Sequence, residues 1–139
     1  MAAVHPYVHF NGTAEEAFGF YKKAFGTEYS TFQRYKDVPS EAQVNNSPDS
    51  ERILHISLPV GDGTILMGSD VPSSFPAVKG DNFFVSIQTA TEEETKRLYA
   101  ALSEGGTILM ALEKTFFASW FAMFIDRFGT RWMISCDPE

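Results

Sequence analysis

Two stretches of the chain place apolar residues at helical spacing behind the same polar opening. In TAEEAFGFY, residues 13–21, Ala14, Ala17, Phe18 and Tyr21 form a stripe that continues to Phe25. In TEEETKRLY, residues 91–99, Thr95, Leu98 and Tyr99 form a matching stripe that continues to Leu102. Each opens with a threonine followed three residues on by a glutamate, Glu16 or Glu94, which predicts a capping box with Thr13 or Thr91 as the N-cap. Gly26 and the pair Gly105-Gly106 supply the stops. The remaining apolar runs are short and rich in aromatic and β-branched residues, which predicts strands over 4–10, 28–35, 53–60, 65–69, 82–88, 107–112, 120–126 and 131–135.

A second echo supports the first. GTILMGS at 63–69 and GTRWMIS at 129–135 both begin at a hairpin turn and both carry a methionine at the same place, Met67 and Met133. The order in each half is strand, helix, then three strands. The expected fold is therefore α+β, with two βαβββ repeats forming a curved mixed eight-stranded sheet and two helices packed outside. The halves run over about 1–70 and 81–137 of a single domain spanning 1–139, with a Pro-rich linker at 71–80. The polar loop at 36–51 is expected to be mobile.

Composition narrows the function classes. At 139 residues and 44% hydrophobic, with 13 Phe and 5 Tyr, the chain has enough apolar surface for a core. It contains no apolar run long enough for a membrane span, and its N-terminal region shows no signal-peptide pattern. A soluble, cytoplasmic protein is the expectation. The formal charge of −7 with 11 scattered Lys and Arg argues against nucleic acid and suits a cationic ligand, or simply solubility. Cys136 is the single cysteine, so an internal disulfide and a multi-cysteine zinc site are excluded; it reads as a small apolar residue near a strand end.

Three segments in order, PYVHFNGTAEEAFGFYKKAFG, LHISLPVGDGTILMGSD and KTFFASWFAMFIDRFGTRWMI, resemble the PhnB-like branch of the vicinal oxygen chelate superfamily, the fold of glyoxalase I, bleomycin-resistance proteins and extradiol dioxygenases. The resemblance covers the whole chain. It implies a cup that holds a ligand or metal ion and is often completed across a homodimer, swapped or side by side. Proteins of this branch are sometimes labelled ubiquinone methyltransferases, but the sequence has no glycine-rich strand-to-helix loop that would hold S-adenosylmethionine.

In metal-using relatives, four His or Glu ligands come from the first and last strands of each half. Two of these positions fall on Met67 and Met133, whose thioethers are poor ligands for zinc, nickel or iron(II). The other two fall near Pro6 and near Asn82 or Phe84; a one-residue shift brings in His5 instead of Pro6, and the register of the first strand stays open. His5 and His9 share a strand face but lie about 13 Å apart at roughly 3.3 Å per residue, too far to share an ion, and His55 can approach one of them only. No metal is expected, with a divalent ion at His5 and His55 as the fallback.

Other chemistry is thin. Ser57, Ser69 and Ser86 lack a nucleophile-elbow context, and no catalytic residue is assigned. Asp70 reads as a turn or cap residue, Asp126 as a turn former and Glu113 as solvated. What remains is a cup lined by His55, Ser57, Met67, Asn82, Phe84, Trp120, Phe124, Trp132 and Met133, with Phe116 and Phe117 beside them, suited to a small planar or cationic molecule. The leading expectation is a metal-free, homodimeric small-molecule-binding protein whose ligand is unknown. The alternatives are a metal-dependent lyase, isomerase or dioxygenase with a displaced His/carboxylate site, and an interaction module that uses a sheet edge.

Overall fold

A computed structural model of the chain describes residues 2–38 and 49–137. Most of the loop expected to be mobile, residues 39–48, lies outside the described residues. The order of elements is β1 (Tyr7–Phe10), α1 (Ala14–Phe25), β2 (Thr31–Arg34), a short 3-10 turn (Tyr35–Asp37), β3 (Ile53–Gly61), β4 (Thr64–Asp70), β5 (Val85–Thr89), α2 (Glu92–Ser103), β6 (Thr107–Glu113), β7 (Trp120–Ile125) and β8 (Arg131–Cys136). The βαβββ unit thus occurs twice. The eight strands divide into two hydrogen-bonded sheets of four, ordered β1-β4-β3-β2 and β5-β8-β7-β6. In each, the first strand runs parallel to the last and the other pairs are antiparallel. The chain forms two compact units, Met1–Val78 and Lys79–Glu139, and the boundary falls inside the expected linker.

In the first unit, strand alternation sends Val8, Phe10, Ile56, Leu58, Leu66 and Gly68 toward α1. Phe18 on α1 is fully buried and meets Phe10 and Tyr21 edge to face. Gly68 is what allows the helix this close: a Cβ there would stand 2.6 Å from the Phe18 ring and 2.8 Å from the Val8 carbonyl oxygen. β1 begins at Tyr7, later than expected, because Pro6 has no N–H for the ladder; its carbonyl still accepts the Met67 N–H at 3.1 Å.

The two helix starts are capped differently, although their sequences match. Thr91 accepts the Glu94 N–H at 3.1 Å, so the expected N-cap forms at α2, but the Glu94 side chain accepts the Ala90 N–H at 3.4 Å and not that of Thr91, so the reciprocal half of the predicted box is displaced by one residue. Thr13 makes no side-chain cap bond. Asp70, 2% exposed at the end of β4, replaces it: Oδ1 accepts the N–H groups of Gly12 and Ala14, and Oδ2 that of Ile53. The Tyr35 hydroxyl donates to the Asp70 carbonyl at 2.9 Å, and burial, with Asp49 and Asp70 nearby, pushes that phenol above its ordinary value.

In the second unit, Thr95, Leu98 and Leu102 of α2 are buried, and Tyr99 meets Phe124 edge to face. The β7–β8 turn is organised by Asp126, 3% exposed, whose Oδ1 accepts the N–H groups of Phe128 and Thr130. Its expected role as turn former is observed, with an added bond from Trp132 described below.

Candidate functional site

The face of the first sheet turned away from α1 carries polar and aromatic side chains in a connected set. Tyr7 and His9 alternate onto it from β1, Met67 and Ser69 stand beside them on β4, and His55 and Ser57 follow on β3. The Tyr7 hydroxyl lies 3.1 Å from His55 Nδ1, and His55 Nε2 lies 2.8 Å from Ser57 Oγ. The Tyr7 ring lies 5.6 Å from the His55 ring, nearly parallel to it, and 5.2 Å from that of His9. His9 Nδ1 is 3.1 Å from Ser69 Oγ. Met67 pairs with Tyr7 on one side and Ser57 on the other, which places a polarizable side chain in the centre of this face.

The hydroxyls of Tyr7 and Ser57 can each donate or accept, so the two contacts are satisfied by either imidazole tautomer; the greater acidity of a phenol favours donation from Tyr7 to Nδ1, with the ring proton then on Nε2 facing Ser57. The arrangement fixes the imidazole in one orientation. It combines a stacked aromatic pair and a thioether with the buried hydroxyls of Ser57 and Ser69, which brace the two imidazoles, a set suited to holding a planar molecule.

The expected lining residues do not all reach an open face. His55, Ser57 and Met67 come together as described. Met133 lies on the corresponding face of the second sheet, paired with Ser86 and Met123. Asn82 and Phe84 precede β5; Asn82 is exposed, and the Arg131 guanidinium stands over the Phe84 ring at 5.6 Å. Trp120, Phe124 and Trp132 are a correction. All three alternate toward α2: Phe124 and Trp132 are 0% and 1% exposed, and Lys96 of α2 stands over the Trp120 ring at 4.8 Å. Trp132 Nε1 donates to Asp126 Oδ2 at 2.8 Å, so its partner lies within the core. Phe116 is fully exposed and Phe117 is 51% exposed, in the segment after β6.

The metal positions implied by the resemblance can now be placed by register. Beside Met67 stands Tyr7, not Pro6 or His5; beside Met133 stands Ser86, not Asn82 or Phe84. Each pair joins a thioether to a neutral hydroxyl, and neither fits a hard or borderline divalent ion. His5 Nδ1 accepts the Ile65 N–H at 3.3 Å. Among the described residues no three His, Cys, Asp or Glu side chains cluster as a metal centre would need. Tyr7, His9 and Ser69 belong to the set but not to the expected lining; only the β1–β4 register identifies Tyr7 as the neighbour of Met67 and Ser69 as that of His9.

The duplicated βαβββ architecture is that of the vicinal oxygen chelate superfamily. A glyoxalase/bleomycin resistance protein/dioxygenase family enzyme from Burkholderia phytofirmans shares it, at 19% identity and a TM-score of 0.61 over 98% of this chain and all of that one. Within that fold, the chain belongs to the family described as 3-demethylubiquinone-9 3-methyltransferase, whose model matches residues 2–135. It is similar to protein PA1353 from Pseudomonas aeruginosa, with 33% identity, a TM-score of 0.89 and full coverage of both chains. It is also similar to a putative 3-demethylubiquinone-9 3-methyltransferase, PhnB protein, from Bacillus cereus, with 25% identity and a TM-score of 0.75 over 97% of this chain and 99% of that one. Protein YjdN of Escherichia coli is 29% identical over 94% of this chain and 92% of its own length.

Proposed function

We propose that the protein binds a small organic molecule on the open face of the first sheet without a resident metal ion, holding its ligand rather than transforming it. The observation that carries this reading is the chain Tyr7–His55–Ser57, in which both nitrogens of a stacked imidazole already have partners. An imidazole held in this way is poorly placed to coordinate an ion and well placed to orient a ligand lying over Met67. Met133, beside Met123 and Ser86, offers a second contact patch on its own sheet.

Methyl transfer, which the family description names, is not part of this reading. A nucleotide-like cofactor would need free backbone donors at a strand-to-helix turn. In the β1–α1 connection, the N–H groups of Gly12 and Ala14 are taken by the buried Asp70 carboxylate. Self-association as a homodimer is proposed from the second sheet: its edge strand β6 leaves Ile108, Leu109 and Met110 between 39% and 44% exposed.

A thermal-shift screen of planar and cationic small molecules tests the binding reading, with His55→Ala and Met67→Ala expected to abolish the shift seen for the native protein. Elemental analysis of the purified protein is expected to find no stoichiometric divalent metal. Stoichiometric nickel, zinc, manganese or iron, lost together with thermal stability in His5→Ala, would replace this reading with a metal-dependent lyase, isomerase or dioxygenase. No shift with any compound, combined with capture of one partner protein, would replace it with an interaction module.

A further inference from the structure

The second unit contains a cavity of about 400 Å³ lined by Lys79, Gly80, Asp81, Ile125, Gly129 and Arg131. Its two cations, unlike six of the eleven in the chain, lack a carboxylate partner among the described residues. Lys22, Arg34, Lys36, Arg52, Lys96 and Arg127 each have a carboxylate partner. The side chains of Lys79 and Arg131 have no hydrogen bond or ion pair among the described residues. In a chain of net charge −7, this concavity gathers two cations with neither in an ion pair, against the single carboxylate of Asp81.

Both are held in place by neighbours that leave their N–H groups without an acceptor. The Arg131 guanidinium lies over the Phe84 ring, 5.6 Å from its centroid. The Lys79 side chain lies against the β7–β8 turn at Gly129, where a Cβ would come within 2.5 Å of Nζ and where φ is +93°. The matching turn of the first unit has Gly63 at φ +73°, with nothing within 4 Å of where its Cβ would be. Turn geometry accounts for both glycines; the lysine seated on Gly129 belongs to the second unit alone.

We propose that this cavity binds the oxyanion group, phosphate or carboxylate, of a small molecule between Lys79 and Arg131. Arg131 supplies a planar set of donors and Lys79 a compact charge, a pairing suited to oxygens of either kind. Asp81 on the same lining opposes a second negative group, so the site selects a ligand with one anionic end. This inference concerns the second unit and does not depend on the reading of the first.

The test follows backbone amide shifts of the full chain on titration with sodium phosphate, and separately with sodium acetate, against sodium chloride at equal ionic strength. Saturable shifts at residues 79–81 and 129–131 are expected with phosphate, acetate or both, and the stronger of the two identifies the ligand class. Lys79→Gln and Arg131→Gln should each weaken binding about tenfold, and Asp81→Asn should strengthen it. Lys79 is exposed, so Lys79→Gln retains the fold and decides the matter even where Arg131→Gln does not fold. Shifts no larger than those with chloride, or unchanged affinity in Lys79→Gln, would overturn the proposal.

Discussion

Asp70 and Ala14, 56 residues apart in sequence, are joined by a 2.9 Å hydrogen bond in which the buried carboxylate of β4 caps the first helix. The same carboxylate holds the N–H groups of Gly12 and Ile53. Asp70→Ala would strand three backbone donors and is expected to cost about 3–5 kcal/mol in urea unfolding. The duplicated threonines should then behave unequally. Thr91→Ala loses a real cap and should cost about 1 kcal/mol, whereas Thr13→Ala should stay within about 0.5 kcal/mol of the native protein.

The 3.1 Å contact between the Tyr7 hydroxyl and His55 Nδ1 is expected to favour one imidazole tautomer, because a phenol is the stronger donor. Long-range proton–nitrogen spectra of the native protein should show His55 with its proton on Nε2. Tyr7→Phe should give a mixture of both tautomers and weaken any ligand that displays the His55→Ala effect. An unchanged single tautomer in Tyr7→Phe would mean that Ser57 alone sets the ring.

Trp132 tests the correction to the expected lining. Trp132→Phe removes the donor to Asp126 and shrinks a fully buried side chain, for an expected loss of about 2–4 kcal/mol. Ligand affinity of the first sheet should be retained at a temperature where the variant is folded. Calorimetry for stability and the thermal-shift response for binding separate the two effects.

Arg34 holds Glu15 in a two-pronged pair, Nη1 to Oε1 at 3.0 Å and Nη2 to Oε2 at 2.9 Å, tying α1 to the end of β2. This bond holds the Glu15 carboxyl below its ordinary value of 4.5, against a smaller opposing effect of burial. A depressed folded value means stability that is present above pH 4.5 and lost as pH falls through the folded value. The Glu15 side chain is 55% exposed, so solvent screening limits the effect to a few tenths of a kcal/mol. Native protein and Glu15→Gln should therefore differ slightly in urea midpoint near neutrality and converge in acid.

Local sequence determined a good deal here. The eight strands, two helices and their duplicated order follow from periodicity and from turn residues, which act over a few positions and leave their mark in the chain itself. The expectation that the metal positions implied by the resemblance fall on Met67 and Met133 is equally local, because a residue's identity decides whether it can be a ligand. Tertiary structure decided what depends on pairing between distant strands. The β1–β4 register put Tyr7 beside Met67, where counting along the first strand pointed to Pro6 or His5, and a slip of one residue sends every side chain to the opposite face. The same alternation carried Trp132 and Phe124 toward α2, although their composition alone suits a pocket as well as a core. Asp70 took over the cap of α1 because β4 ends beside the start of that helix. The Thr-Glu opening that repeats at Thr91 cannot reveal this, since the competing acceptor lies in another strand and reaches the helix only once the sheet has formed.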